Sequence, residues 1–106
     1  MWDQADELLR NGYKDAAASL GGAALETGLR QIAQTRDVST EGLRGIDRIA
    51  KALVDAGHMT AVRKRQIDAW REIRNSAAHG AYEDYGPDDV RRMLDGVRDV
   101  IADELN

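Results

Sequence analysis

Cysteine is absent from the 106-residue chain, which removes a disulfide framework and any thiolate metal site and gives no sign of an oxidising compartment. Phenylalanine is absent too, aromatic residues make up 5% of the chain, and there is one proline. The usual strand residues are therefore scarce while Ala, Leu, Arg and Glu, all good helix formers, are plentiful, so the expected fold is all-α. No long apolar run occurs, and the opening Met1-Trp2-Asp3-Gln4 lacks the basic and apolar stretches of a signal peptide. No membrane span and a cytoplasmic location are the expectations. Acids outnumber bases, 19 Asp and Glu against 15 Lys and Arg, for a net charge of −4, which argues against a chain that binds nucleic acid through surplus charge alone.

What is present is a succession of amphipathic segments in a length that suits one domain, 1–106, standing alone or excised from a longer protein. A short first helix is expected from about Asp3, as N-cap, to Arg10, with Asn11-Gly12 ending it. A second, about 13–35, carries Tyr13, Leu20 and Ile32 at helical spacing and is rich in small residues, among them Ala17, Gly21, Gly22, Ala24 and Gly28. Gly21-Gly22 has neither the strand nor the loop of a nucleotide site, so these residues are expected to let a neighbouring helix come close. Residues 36–44 read as a loop with Ser39 or Thr40 available as a cap. A third helix, about 45–56, places Ile46, Ile49, Leu53 and Val54 on one face and stops at Gly57. The fourth starts after Thr60 and runs to about His79, closed by Gly80. The last opens at Pro87 with Asp88 and Asp89 in its first turn, where acids suit the helix dipole, and turns Val90, Met93, Leu94, Val97, Val100 and Ile101 inward. Short connections between such helices predict an antiparallel bundle of four main helices plus the short N-terminal one.

Charge is unevenly spread. Residues 61–80 carry Arg63, Lys64, Arg65, Arg71 and Arg74 against Asp68 and Glu72, a balance of +3, whereas residues 83–106 stand at −5. Any anion-binding surface is therefore expected on the third quarter of the chain. There the segment Trp70-Arg71-Glu72-Ile73-Arg74-Asn75-Ser76-Ala77-Ala78-His79-Gly80 becomes specific, with an Arg-Asn pair followed by a histidine five positions after the arginine. It resembles the Arg-Asn-x-x-x-His motif of the HEPN superfamily, small helical bundles that include metal-independent ribonucleases and abortive-infection toxins. The likeness extends to Gly12-Tyr13-Lys14-Asp15-Ala16-Ala17, Ala24-Leu25-Glu26 and Leu29-Arg30, and past the motif to Ala81-Tyr82, so it covers most of the chain.

The side chains suit that chemistry. Arginine keeps its charge at any working pH and presents a planar fork to two phosphate oxygens, so Arg74 can hold the scissile phosphate. A histidine such as His79 can take a proton from a ribose 2′-hydroxyl or give one to the leaving oxygen. Asn75 can orient either. Intramolecular attack by the 2′-hydroxyl needs no metal, and two histidines with scattered acids make no convincing metal cluster, so no cofactor is expected. Five residues correspond to roughly 140° of helical rotation, so Arg74 and His79 do not face one point from a regular helix. Either the helix ends or widens near Ala78, or two protomers combine their motifs. The resemblance implies the second, a homodimer lined by both motifs. It also implies an RNA substrate, with Arg63, Lys64 and Arg71 lending positive potential, and an antitoxin or larger defence protein as further partner. The same likeness admits a different class, a catalytically silent HEPN-like module for dimerisation or partner binding.

Plainer roles are expected elsewhere. Arg63-Lys64-Arg65 reads as a solvated face, His58 as an exposed loop residue, Trp70 as core, and Glu26 as a structural ion-pair partner of Arg74 or Arg30. In HEPN toxins paired with nucleotidyltransferase antitoxins a tyrosine follows the histidine after one residue. Here two intervene before Tyr82, which is expected to pack over the helix end.

Overall fold

Five α-helices build the protein in a computed structural model that describes residues 2–105, and no strand occurs among the described residues. They are α1 (Trp2–Arg10), α2 (Lys14–Thr35), α3 (Ile46–Asp55), α4 (Ala61–Ala78) and α5 (Pro87–Leu105), with a single 3₁₀ turn at Tyr82–Asp84. The all-α bundle of four main helices and a short N-terminal one is thus the fold observed. No helix among the described residues is long and apolar enough to cross a membrane.

Local chemistry sets the ends. Gly12, Gly57 and Gly80 sit at φ +86°, +79° and +75°, the left-handed conformation that lets the chain fold back on the helix just finished. At α4 the Ala81 N–H donates to the Ser76 carbonyl at 2.8 Å and the Gly80 N–H to that of Ala77 at 3.4 Å, a Schellman closure. Helix α2 closes the same way through Asp37 at φ +56°, with Val38 N–H bonded to Ala33 at 2.9 Å. Thr60 caps α4 by accepting from Arg63 N–H at 3.1 Å. Pro87 opens α5, and the Asp89 carboxylate reaches back to the Gly86 N–H at 2.8 Å. Two expected caps are otherwise employed. Asp3 lies inside the first turn of α1, and Ser39 accepts from the Glu41 N–H within its loop while α3 starts from Gly45 without a side-chain cap.

Helix α2 is the centre, in contact with each of the other four. Leu25, Leu29, Ile32 and Ala33 on α2 join Ile46, Ile49 and Leu53 of α3, Ile67 of α4 and Val90, Met93, Leu94 and Val97 of α5 in one core. The small residues do what their size predicts. A methyl at Gly21 would lie 2.8 Å from Leu94 Cδ2, and one at Gly28 2.7 Å from Ile101 Cγ1, so α2 and α5 touch backbone to side chain. Trp70 of α4 lies over Gly96 of α5, where a methyl would stand 2.8 Å from Cη2 and closer still to Cζ2, placing the indole at the core edge as expected.

Helix α1 is fastened by ion pairs. Asp6 accepts from Arg91 at 2.8 Å and from Arg98 at 3.2 Å, both on α5, and Arg98 lies 5.1 Å from the Trp2 ring centroid. The Arg91 bond holds the Asp6 carboxyl below the ordinary carboxylate range against the cost of desolvation, with Arg98 adding to it. Because the folded value is the lower one, this stabilisation is complete above the unfolded value and disappears as pH falls through the folded value. Wild-type melting temperature should therefore drop more steeply than that of Asp6→Asn between about pH 5 and pH 2. At neutral pH the substitution is expected to cost about 1 kcal/mol. Parallel pH profiles of the two proteins would assign the acid sensitivity elsewhere.

Candidate functional site

The motif residues occupy the last two turns of α4, and the helix does end at Ala78, with His79 as C-cap at φ −95° and ψ 5°. The ending does not redirect His79. Its N–H still bonds to the Asn75 carbonyl at 3.0 Å, so the backbone follows the helical path and His79 leaves roughly 140° around the axis from Arg74. The imidazole is exposed and makes no side-chain hydrogen bond among the described residues.

Arg74 is half-buried, and its stem is set by glycine. A methyl on Gly22 of α2 would lie 3.1 Å from Arg74 Cβ, 3.3 Å from Cδ and closer still to Cγ, so the bare backbone of α2 provides the bed for the aliphatic part. Its head is turned by Asn75, whose Oδ1 accepts from Arg74 Nε at 3.2 Å. Asn75 and His79 are one turn apart on neighbouring positions, so Asn75 draws the guanidinium toward the histidine's side of the helix. No carboxylate pairs with Arg74 among the described residues.

Gly22→Ala is a direct test of this bed. The gain of ~1 kcal/mol in helix propensity is opposed by ~1–3 kcal/mol of overpacking, because the colliding atoms sit at the root of the arginine and cannot swing away. The variant is expected to melt lower than wild type. A higher melting temperature would show that α2 and α4 separate freely.

The other cations of the segment are distributed differently from the solvated face the sequence suggests. Lys64 donates to Asp47 of α3 and to Asp68, each at 2.7 Å, and is largely covered, so it ties α3 to α4. That bond holds Asp47 below the usual carboxylate range despite some desolvation, with Arg71 and Arg48 adding to the effect. Arg63 reaches Asp103 of α5 at 3.5 Å and Gln66 at 3.4 Å. Arg65 is exposed. Arg71 is half-buried, and its Nε is enclosed without a partner among the described residues. Glu26 pairs with Arg30 at 3.6 Å rather than with Arg74.

Beyond the helix end, Tyr82 is 48% exposed instead of packing over the cap, while Tyr85 is 6% exposed and takes the covered position. Lys14 explains the arrangement. Its ammonium donates to the carbonyls of Tyr82 and Tyr85 and stands 4.4 Å from the Tyr85 ring centroid, fixing the 3₁₀ turn against the start of α2. Burial, with Asp15 and Tyr82 nearby, pushes the Tyr85 phenol up. Asn75, Ser76, Glu72, Asp84 and Tyr85 line a shallow cleft on this side of α4. Another cleft lies elsewhere, along α1, between Leu8, Glu7 and Leu20. No group of three His, Asp or Glu among the described residues is placed to hold a metal ion.

Two residues that sequence reasoning missed emerge at the start of α3. Arg44 and Arg48 are exposed, and neither pairs with a carboxylate among the described residues. The signal was legible for Arg48, whose neighbours at three and four residues are Arg44, Gly45, Lys51 and Ala52, with no acid among them. Compared with family models, with curated proteins and with solved structures, the chain matches none of them.

Proposed function

We propose that the protein is a metal-independent endoribonuclease of HEPN type, acting as a homodimer in which Arg74 and Asn75 of one protomer meet His79 of the other. The observation that carries this reading is the state of Arg74: a guanidinium without a carboxylate partner among the described residues, its stem bedded on Gly22 and its head turned by Asn75. An arginine so placed is prepared for an external anion, and the planar fork matches the oxygens of a phosphodiester. The wide angle between Arg74 and His79 on one helix favours two protomers over one. A toxin or antiviral-defence setting, with an antitoxin or larger defence protein as regulator, belongs to the same proposal and comes from the motif's resemblance.

The reaction follows from these groups. His79 accepts the proton of the ribose 2′-hydroxyl as that oxygen bonds to phosphorus, and Arg74 neutralises the charge gathering on the non-bridging oxygens. The bond from phosphorus to the 5′-oxygen then breaks, that oxygen takes a proton from solvent, and His79 returns to solvent the proton it accepted. The products are a 2′,3′-cyclic phosphate and a 5′-hydroxyl. Asn75 acts through Arg74, as a positioning residue.

The test is incubation with single-stranded RNA in the presence of a chelator, followed by analysis of the new ends. Cleavage with cyclic phosphate ends is expected. Complete dependence on added magnesium would sink the mechanism, and intact RNA under all conditions would leave a binding module without catalysis.

A further inference from the structure

Nine of the fifteen Lys and Arg residues form ion pairs with carboxylates among the described residues. Lys14 is engaged by carbonyl groups. That leaves Arg44, Arg48, Arg65, Arg71 and Arg74, all from α4 or the start of α3. In a chain with more acids than bases, such a gathering of unneutralised guanidinium groups is a local reversal of the protein's overall sign.

Arg44, Arg48 and Arg71 are placed by one seam, and Arg74 flanks it on the side that packs on α2. Helix α3 packs on α4, and the Lys64–Asp47 bond of 2.7 Å fixes its first turn against the α4 face that bears Lys64. Two helical turns further along the same stripe stands Arg71, because seven residues return to within about 20° of the starting direction. Arg74 follows one turn beyond, about 5–6 Å from Arg71 at the Cβ atoms. Arg48 is next to Asp47 in the first turn of α3, and Arg44 lies just before that turn. Arg65 leaves α4 about 100° from the Lys64 direction, on the flank opposite to Arg71 and Arg74.

Resting on the ribonuclease reading, we infer that the substrate RNA strand continues from Arg74 over Arg71 onto Arg48 and Arg44, so that α3 supplies part of the phosphate-binding surface. Arginine suits this task because it binds phosphate oxygens through a fork and gives up its own hydration readily. Such interactions bind the backbone without reading bases, so they set affinity and salt dependence. Asp47 and Asp68 share Lys64, so the five cations Arg44, Arg48, Lys64, Arg71 and Arg74 against these two acids leave a local balance of +3.

The experiment uses a single-stranded RNA oligonucleotide with 2′-O-methyl groups, which removes the attacking hydroxyl, and measures its affinity by fluorescence anisotropy across a range of salt. Every phosphate of a single strand that the protein no longer neutralises flattens the slope of log affinity against log salt by ~0.7, so the Arg44→Gln/Arg48→Gln double variant should flatten it by about 1.4. Arg65→Gln removes a charge on the opposite flank of α4 and should leave the slope as it is. An unchanged slope in the double variant, or an equal flattening in Arg65→Gln, would overturn the inference. So would tight binding of poly-glutamate with no binding of RNA, which would assign the surface to an acidic protein partner. The ribonuclease reading fails separately: a wild-type protein that binds the blocked RNA with the expected slopes but does not cut unmodified RNA keeps the α3 surface and loses the chemistry.

Discussion

Exchanging Arg74 for lysine is expected to leave the fold intact and to lower RNA cleavage at least about 100-fold, the usual cost of removing one donor aimed at transition-state charge. Lysine retains the methylene groups that lie on Gly22, so the packing of α2 on α4 survives the exchange. It loses the Nε–H bonded to Asn75 and the second arm of the fork. A position that served only as a surface charge would be worth about 0–1 kcal/mol and would hardly notice lysine. Melting temperature and initial cleavage rate, measured on the same preparation, separate the two roles. A lysine variant that cuts at the wild-type rate would reduce Arg74 to a generic charge, and one that unfolds would make it structural.

His79→Ala is expected to lower cleavage by about 10²- to 10⁴-fold, the contribution of a positioned acid or base. Its effect on stability should stay within about 0.5 kcal/mol, because the side chain is exposed and the cap is formed by backbone groups that alanine keeps. Mixing the two inactive proteins then reports on the geometry. If the site combines Arg74 of one protomer with His79 of its partner, a heterodimer of Arg74→Lys with His79→Ala contains one wholly wild-type site. Free exchange of protomers should therefore restore about a quarter of wild-type activity. No recovery after verified exchange would place both residues in one protomer.

Much of the architecture could be read directly from local chemistry. Gly12, Gly57 and Gly80 end their helices because a left-handed residue is needed where the chain turns back, and glycine meets that need without strain. Thr60 and Pro87 mark helix starts for equally local reasons. Asp37 escaped notice because aspartate adopts the left-handed conformation less often than glycine. Long-range pairings were beyond reach for another reason. Nothing near Arg63 in the sequence points to Asp103, nor near Lys64 to Asp47, and only the packing of α4 on α5 and α3 brings these groups together. The basic run at 63–65 therefore looked like one surface, while the fold commits its first two members to ion pairs and leaves Arg44 and Arg48, from another helix, unneutralised. The bed under Arg74 was half visible. The small residues of α2 announced a close neighbour, but only the register of α2 against α4 makes that neighbour the arginine.

The central place of α2 also governs how the molecule opens. A helix that touches all four others cannot detach without dissolving the core, so its inner amides exchange with solvent only through global unfolding. Helix α3 has a lighter attachment, resting on α2 and α4, and is flanked by loops at both ends. It can lift away at a fraction of that free energy. Such an opening parts Asp47 from Lys64 and carries Arg44 and Arg48 away from Arg71, so a local opening of α3 breaks up the arginine-rich surface while the rest of the core stays folded.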